Sequence, residues 1–442
     1  MTSRKTLLFA CLGLAGSVVA ADLAQAQALT LNGAGSSAGR QYASLLPTDL
    51  QLCDGGSTPV LFQSHEVPPN RTEWRCTVGG VARTYRYSAS ASADGYLLQP
   101  NGVAGFAPYL NLTSATTGVC PAPTAATVNG RAILRSTCGT PAGPGGVPAA
   151  VVNGPASSFI VHYGASDVKP SSFNVTANGS TQSPPPSTHL TPNPIVAVPF
   201  SIVVGGGVRA GNGTPLLNLT QLEVRQILSG DIEGAGGDWT TLGHNTTTAD
   251  KAIRVCQRTV PSGTLAALMQ TVMQSPSPFT GINPAASATN IFNASSSNVK
   301  ACLENNPNSI GYIDSDTVPS LLLGAHQVAL DGFLPSNPAL PAGIDRTRDL
   351  RCGKYAYWVD WVIVTRNAGI QAAPINAPAG SAALLTLLRN RAIANNPLPD
   401  FWGGANDMYV FKSEDKGPHN WLTLNGNLVD ASTACSNAGS IQ

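Results

Sequence analysis

Residues 253–264, Ile253-Arg254-Val255-Cys256-Gln257-Arg258-Thr259-Val260-Pro261-Ser262-Gly263-Thr264, run directly into Leu265-Ala266-Ala267-Leu268-Met269-Gln270-Thr271-Val272-Met273. Ile253–Cys256 is short and β-branched, as a strand requires. After the turn, Leu265, Leu268, Met269, Val272 and Met273 recur at i, i+3, i+4, i+7 and i+8, which is one apolar helix face. Ser262 stands where a helix N-cap belongs. Strand, tight turn and helix make one half of a βα unit, and repetition of that unit defines an α/β protein.

The unit does repeat to either side. Upstream, Leu29–Asn32 reads as a strand broken by Gly33-Ala34-Gly35-Ser36-Ser37, after which a helix starts. Phe159–Tyr163 reads as a strand ending in the turn Gly164-Ala165-Ser166-Asp167. Ile195–Val204 is uncharged and β-branched, hence a buried strand. Thr220 and Glu223 form a capping box, a helix follows from Leu222 to Leu228, and Gly230 sits at its C-terminal cap. Downstream come strands at Ile310–Ile313 and Tyr355–Thr365 and a Leu-rich helix at Ala382–Ile393. Two stretches break the pattern. Residues 53–156 are rich in Gly, Ala, Pro and Thr and read as disulfide-stapled loops and irregular strands decorating a core. Residues 176–194, with Pro184-Pro185-Pro186, read as a linker or exposed crossover.

The N-terminus has the tripartite form of a secretory signal: Arg4 and Lys5, an apolar run from Thr6 to about Ala21, then Ala24-Gln25-Ala26, with Ala26-Gln27-Ala28 as a second cleavage option. The apolar run is too short to span a bilayer. Nine cysteines are present, with Cys11 inside this leader. The other eight form an even set, which in an exported chain reads as disulfides. Pairing of sequence neighbours is the simplest scheme: 53–76, 120–138, 256–302 and 352–435. No CxxC spacing and no paired-histidine motif points to a metal. Net charge is +1, which excludes the strong basic field that nucleic-acid binding needs. Charged residues make up 11% of the chain, so Ser, Thr, Asn and Gly carry the surface.

The chemistry of an anion site is present in pieces. A helix N-terminus offers unpaired N–H groups and partial positive charge, and Gly263 permits close backbone approach. Ser262 and Thr264 add hydroxyls, and Arg258 can supply a planar two-pronged donor. The Gly33–Ser37 bend offers similar donors. Asp167 either caps the next segment or accepts a proton from a protonated oxyanion. In the latter role it would admit monohydrogen phosphate and reject sulfate. A competing pattern, Gly35-Ser36-Ser37-Ala38-Gly39, matches a hydrolase nucleophile elbow, with Asp400 and His419 following in order.

Taken in order, LNGAGSS, YGASD, IVAVPFSIVV, LTQLEVRQILSGDIEGAGGDW, RTVPSGT, NSIGYI and YAYWVDWVIVTRN resemble the phosphate-binding component of bacterial phosphate ABC importers. The resemblance implies a two-lobed periplasmic-binding-protein fold with mixed sheets, flanking helices and hinge strands between lobes. On that scheme 1–28 is a signal peptide. Residues 29–192 form lobe one with an insertion at about 53–156, 193–354 form lobe two, and 355–442 return to lobe one. The implied ligand set is Ser37, the Ala38 N–H, Ser92 and Asp167 from lobe one, with Arg258, Ser262, Gly263 and Thr264 from lobe two. A monomer is expected. It would bind phosphate or a similar oxyanion, need no cofactor, catalyse nothing, and hand its ligand to a membrane permease from the periplasm or beyond the outer membrane. The sequence departs from the family where Val260 replaces an acidic residue, Pro261 a small one, and Ala38 a bulky aromatic. These departures motivate the alternative of an extracellular adhesion, scaffold or sensory protein on the same fold.

Overall fold

The computed structural model describes residues 28–66, 69–112, 120–139, 151–152, 160–232, 237–275, 281–336, 346–367, 381–394 and 403–404. The leader, Cys435 of the expected 352–435 pair, and Asp400 and His419 of the hydrolase pattern lie outside them. Among the described residues no helix is long and apolar enough to cross a membrane.

The backbone of the molecule is one large mixed sheet flanked by helices, the α/β architecture expected from the repeating strand–turn–helix pattern. Its central strand is the long β8 (Leu190–Val204). The first ten residues of β8 pair antiparallel with β13 (Trp358–Arg366), through a register shift between Pro194 and Val196. The last five pair antiparallel with β11 (Ser309–Asp314), and its tip also pairs with β12 (His326–Leu330). From Ile195 to Val204 every residue is buried, which is why this stretch carries no charge. On the β13 side the order continues through β7 (Tyr163–Ser166), β1 (Leu29–Gly35), β4 (Val81–Ala89), β3 (Arg71–Val78), β2 (Val60–Ser64), β6 (Arg131–Cys138) and β5 (Thr124–Val128). On the β11 side it continues through β9 (Arg254–Arg258) and β10 (Asn290–Asn293). We call these the Asp167 wing and the Arg258 wing.

Several local expectations hold. Helix α3 (Gln221–Ser229) starts with the complete Thr220–Glu223 capping box and stops at left-handed Gly230. Helix α4 (Gly263–Thr271) starts at Ser262, whose Oγ accepts from the Leu265 N–H. Cys53–Cys76, Cys120–Cys138 and Cys256–Cys302 are disulfides.

Four expectations are corrected. Residues 53–156 are not mere decoration: β2 to β6 extend the main sheet, and β4 lies directly beside β1 in parallel register. Strand β1 does not break at Gly33 but runs to Gly35, because β4 and β7 hydrogen-bond it from both sides. Strand β7 lies later than expected and includes Gly164 and Ala165. A β-carbon at Gly164 would overlap the Gly95 carbonyl in α2 (Asp94–Leu97), so glycine here permits a close helix–strand approach and marks no turn. Part of the 176–194 segment is also ordered, as a small hairpin of 175–177 with 180–182.

The Cys256–Cys302 bond ties β9 to helix α5 (Ser296–Asn305) across 46 residues. Replacing both cysteines by serine should lower unfolding free energy by about 2–4 kcal/mol, chiefly by freeing the unfolded chain. Urea unfolding checks this, and an unmoved midpoint would contradict it.

Candidate functional site

Six strand ends converge between the wings. In the Asp167 wing, β1 is parallel to both β4 and β7, and their carboxyl ends lead into Ser36-Ser37, Ser92 and Asp167. In the Arg258 wing, β9 is parallel to both β10 and β11. Their carboxyl ends carry Arg258, lead into Ser296, and carry Asp314. Space outside the carboxyl ends of parallel strands is where open α/β sheets place their ligands.

Asp167 is 0% exposed. The Ser36 hydroxyl donates to its Oδ1, and the Ser92 hydroxyl donates to its Oδ2 at 2.7 Å. Gly263 faces this group from the other wing. A β-carbon at Gly263 would touch the Ser92 Oγ and approach Asp167 Oδ2 to 2.7 Å, so the backbone at the start of α4 presses on the carboxylate. The first-turn N–H groups of α4, at Gly263 and Thr264, have no acceptor within the helix and form its positive end. Burial raises the Asp167 pKa from its ordinary 3.8 to about 6, and repulsion from Asp314 adds to the rise. The two serine hydroxyls and Arg258 oppose it.

Arg258 is equally buried, at 2% exposure. Its guanidinium donates to the Ser296 Oγ at 2.8 Å and to the Ala294 carbonyl at 3.4 Å, while its Nε is buried with no hydrogen-bond partner among the described residues. Its backbone N–H donates to the Tyr312 hydroxyl at 3.1 Å. Burial pulls its pKa below the usual guanidinium value, and the carboxylates of Asp314 and Asp167 oppose that shift. Tyr312 and Tyr357 stack edge to face at 6.4 Å, and the Tyr357 hydroxyl donates to the Thr264 carbonyl at 2.9 Å. This aromatic floor fixes the start of α4.

Asp314 collects the remaining donors. It accepts from Ser296 at 3.0 Å and Thr264 at 3.3 Å in its own wing. From the other wing it accepts from Arg40 at 3.1 Å and Ser37 at 3.2 Å. Arg40 lies on α1 (Gly39–Leu45) and is buried.

The structure therefore sorts the eight sequence candidates. Asp167, Ser92 and Gly263 meet. Arg258 lies close enough to both carboxylates to act on them electrostatically. Ser262 caps α4, so its hydroxyl serves Leu265. Ser37 and Thr264 face Asp314, and the Ala38 N–H donates to the Ser36 Oγ at 3.1 Å. Ser36, not Ser37, is the serine on Asp167. The Ser36 N–H still bonds the Ala165 carbonyl at 2.8 Å, continuing the β1–β7 register and bringing its side chain to the residue just past β7. Asp314, Arg40 and Ser296 were not singled out in the sequence. The available signal was position: Asp314 ends its strand just as Arg258 ends its own.

No protein-family model matches the chain, and no curated protein matches it. Solved structures do resemble it in part. One is a high affinity periplasmic phosphate-binding protein, PfluDING, bound with phosphate, at 13% identity and TM-score 0.41, covering 93% of this chain and 99% of that one. PstS from Borrelia burgdorferi overlaps at 11% identity and TM-score 0.33, over 81% of this chain and 97% of that one. An ABC-type phosphate transport receptor from Vibrio cholerae overlaps at 16% identity and TM-score 0.33, over 54% of this chain and 80% of that one. All three scores fall below 0.5, so the functional reading rests on the site itself.

Two outcomes follow from this geometry. A carboxyl whose folded pKa exceeds its unfolded one binds more protons when folded, so its contribution to stability falls as pH rises through 3.8 to about 6 and stays low above. Asp167→Asn removes that cost. In ligand-free protein it should stabilise the fold by on the order of 3 kcal/mol at neutral pH, with the gain shrinking as pH falls through that window. Thermal melts across pH check this, and a constant gap would contradict it. Gly263→Ala should force the wings apart or strain them, lowering stability by about 1–3 kcal/mol. A melting temperature equal to wild type would show the contact to be loose.

Proposed function

We propose that this is an exported solute-binding protein that captures a tetrahedral oxyanion carrying one proton, inorganic phosphate foremost, and delivers it to the permease of an ABC-type importer. The observation that carries the reading is the buried Asp167 carboxylate facing the N-terminus of α4 across the two wings, with the Arg258 guanidinium close by.

The physics of that arrangement is selective. Guanidinium and amide N–H groups in a desolvated site attract an anion strongly. A carboxylate in the same place repels it, unless a proton lies between the two oxygens. Monohydrogen phosphate brings that proton and sulfate at neutral pH does not, so the carboxylate admits one and rejects the other. Ser36 and Ser92 now donate to Asp167; rotation of either hydroxyl would supply a donor to a bound oxygen. Entry requires the wings to part. The β8–β13 pair, which joins them, is the natural hinge. On this reading 29–192 with 355–442 form one lobe and 193–354 the other, the protein acts outside the cytoplasm as a monomer, and no covalent step is involved. The ordered motif resemblance supports the same assignment.

Phosphate added to dialysed protein should raise its melting temperature, corresponding to about 2.7 kcal/mol at a hundredfold excess over the dissociation constant. Arg258→Ala should abolish the shift, and sulfate should produce little of it. A melting curve unmoved by millimolar phosphate would contradict the proposal.

A further inference from the structure

The turn Thr259-Val260-Pro261 between Arg258 and the start of α4 contains no carboxylate. A guanidinium buried to 2% exposure needs a compensating charge held in fixed geometry, because an unpaired buried charge is strongly destabilising. Among the described residues, Asp314 is the carboxylate that acts most strongly on Arg258. The link is physical: Arg258 donates to the Ser296 hydroxyl, which in turn donates to Asp314 Oδ2. The same Oδ2 accepts from Arg40 and Ser37, which belong to the opposite wing. Arg40 and Asp314 are both almost completely buried, so their ion pair is shielded from salt and solvent.

We infer that Asp314 is a positioning and specificity residue: it clasps the two wings through Arg40 and Ser37, aims Arg258 through Ser296, and sets the charge that an incoming anion meets. The specificity part rests on the anion-binding reading above; the clasp does not. With Asp314 ionised, the guanidiniums of Arg40 and Arg258 face the carboxylates of Asp314 and Asp167. A third carboxyl, Asp316, sits beside Asp314 and Arg40, with its pKa pushed up to about 7 by burial and by Asp314, so the group carries no excess positive charge and an anion enters without excess attraction. It therefore depends on the hydrogen bond of its own proton to Asp167. Without the Asp314 charge the group becomes less negative, and an anion lacking a proton is rejected less.

The test compares wild type, Asp314→Asn and Arg40→Gln. Spin labels at the exposed Leu50, next to α1 in the Asp167 wing, and Leu222, on α3 beyond β8, report the separation of the wings in ligand-free protein. Both substitutions should shift the distance distribution to longer values than in wild type. Superimposable distributions for all three would overturn the clasp. Calorimetric titration with phosphate and with sulfate gives the preference ratio, which Asp314→Asn should reduce at least tenfold. A merely structural role would weaken both anions together, and an unchanged ratio would overturn the specificity role. If wild type binds neither anion, the transport reading and the specificity role fail together, and the distance measurement alone decides the clasp.

Discussion

Everything at the centre of this molecule depends on burying opposite charges that arrive from two different parts of the chain. Asp167 and Arg40 come from one wing, Arg258 and Asp314 from the other, and each is nearly or wholly inaccessible to solvent. None of the four would be tolerated there alone. Their mutual compensation, spread through the hydroxyls of Ser36, Ser37, Ser92, Thr264 and Ser296, makes the meeting of the wings possible and fixes its geometry. The large sheet serves this end. Parallel strands of both wings end at the shared site, and the β8–β13 pair joins the wings.

The ionisable groups of the two wings sit in unequal environments. Burial and the nearby Asp314 push Asp167 toward its neutral form, while the serine hydroxyls and Arg258 pull it toward the charged one. The result is a carboxyl that titrates near pH 6. Under the proposed function it is the ionised form of this carboxyl that accepts a hydrogen bond from a protonated oxyanion. Arg258 works oppositely: burial lowers its pKa, the same two carboxylates oppose that shift, and the guanidinium stays charged.

Much of this was legible in the sequence wherever the determining interaction is local. The Thr220–Glu223 box, the Gly230 cap, the Ser262 cap and the apolar face of α4 involve residues a few positions apart, and all appear as read. The disulfides follow sequence neighbours because each closes a local unit, such as β9 with α5. The sheet of residues 60–138 was not legible. In β3, Glu73 is buried beside Trp74, made tolerable by Arg75 and Arg86, so the strand lacks a clean apolar alternation. Asp314 was hidden for another reason. Its partners Ser37 and Arg40 lie more than 270 residues upstream, and no local pattern records such a contact. The choice between Ser36 and Ser37 turned on one residue of strand register, which only the paired β7 fixes.

The most direct test of the central claim is a crystal structure of the protein grown with arsenate, a phosphate analogue whose arsenic is located by anomalous scattering. The expected result is one strong peak between the Asp167 carboxyl and the Arg258 guanidinium, within hydrogen-bonding reach of the first-turn amides of α4. A peak elsewhere, or none while Ser36 and Ser92 keep their present bonds to Asp167, would contradict it.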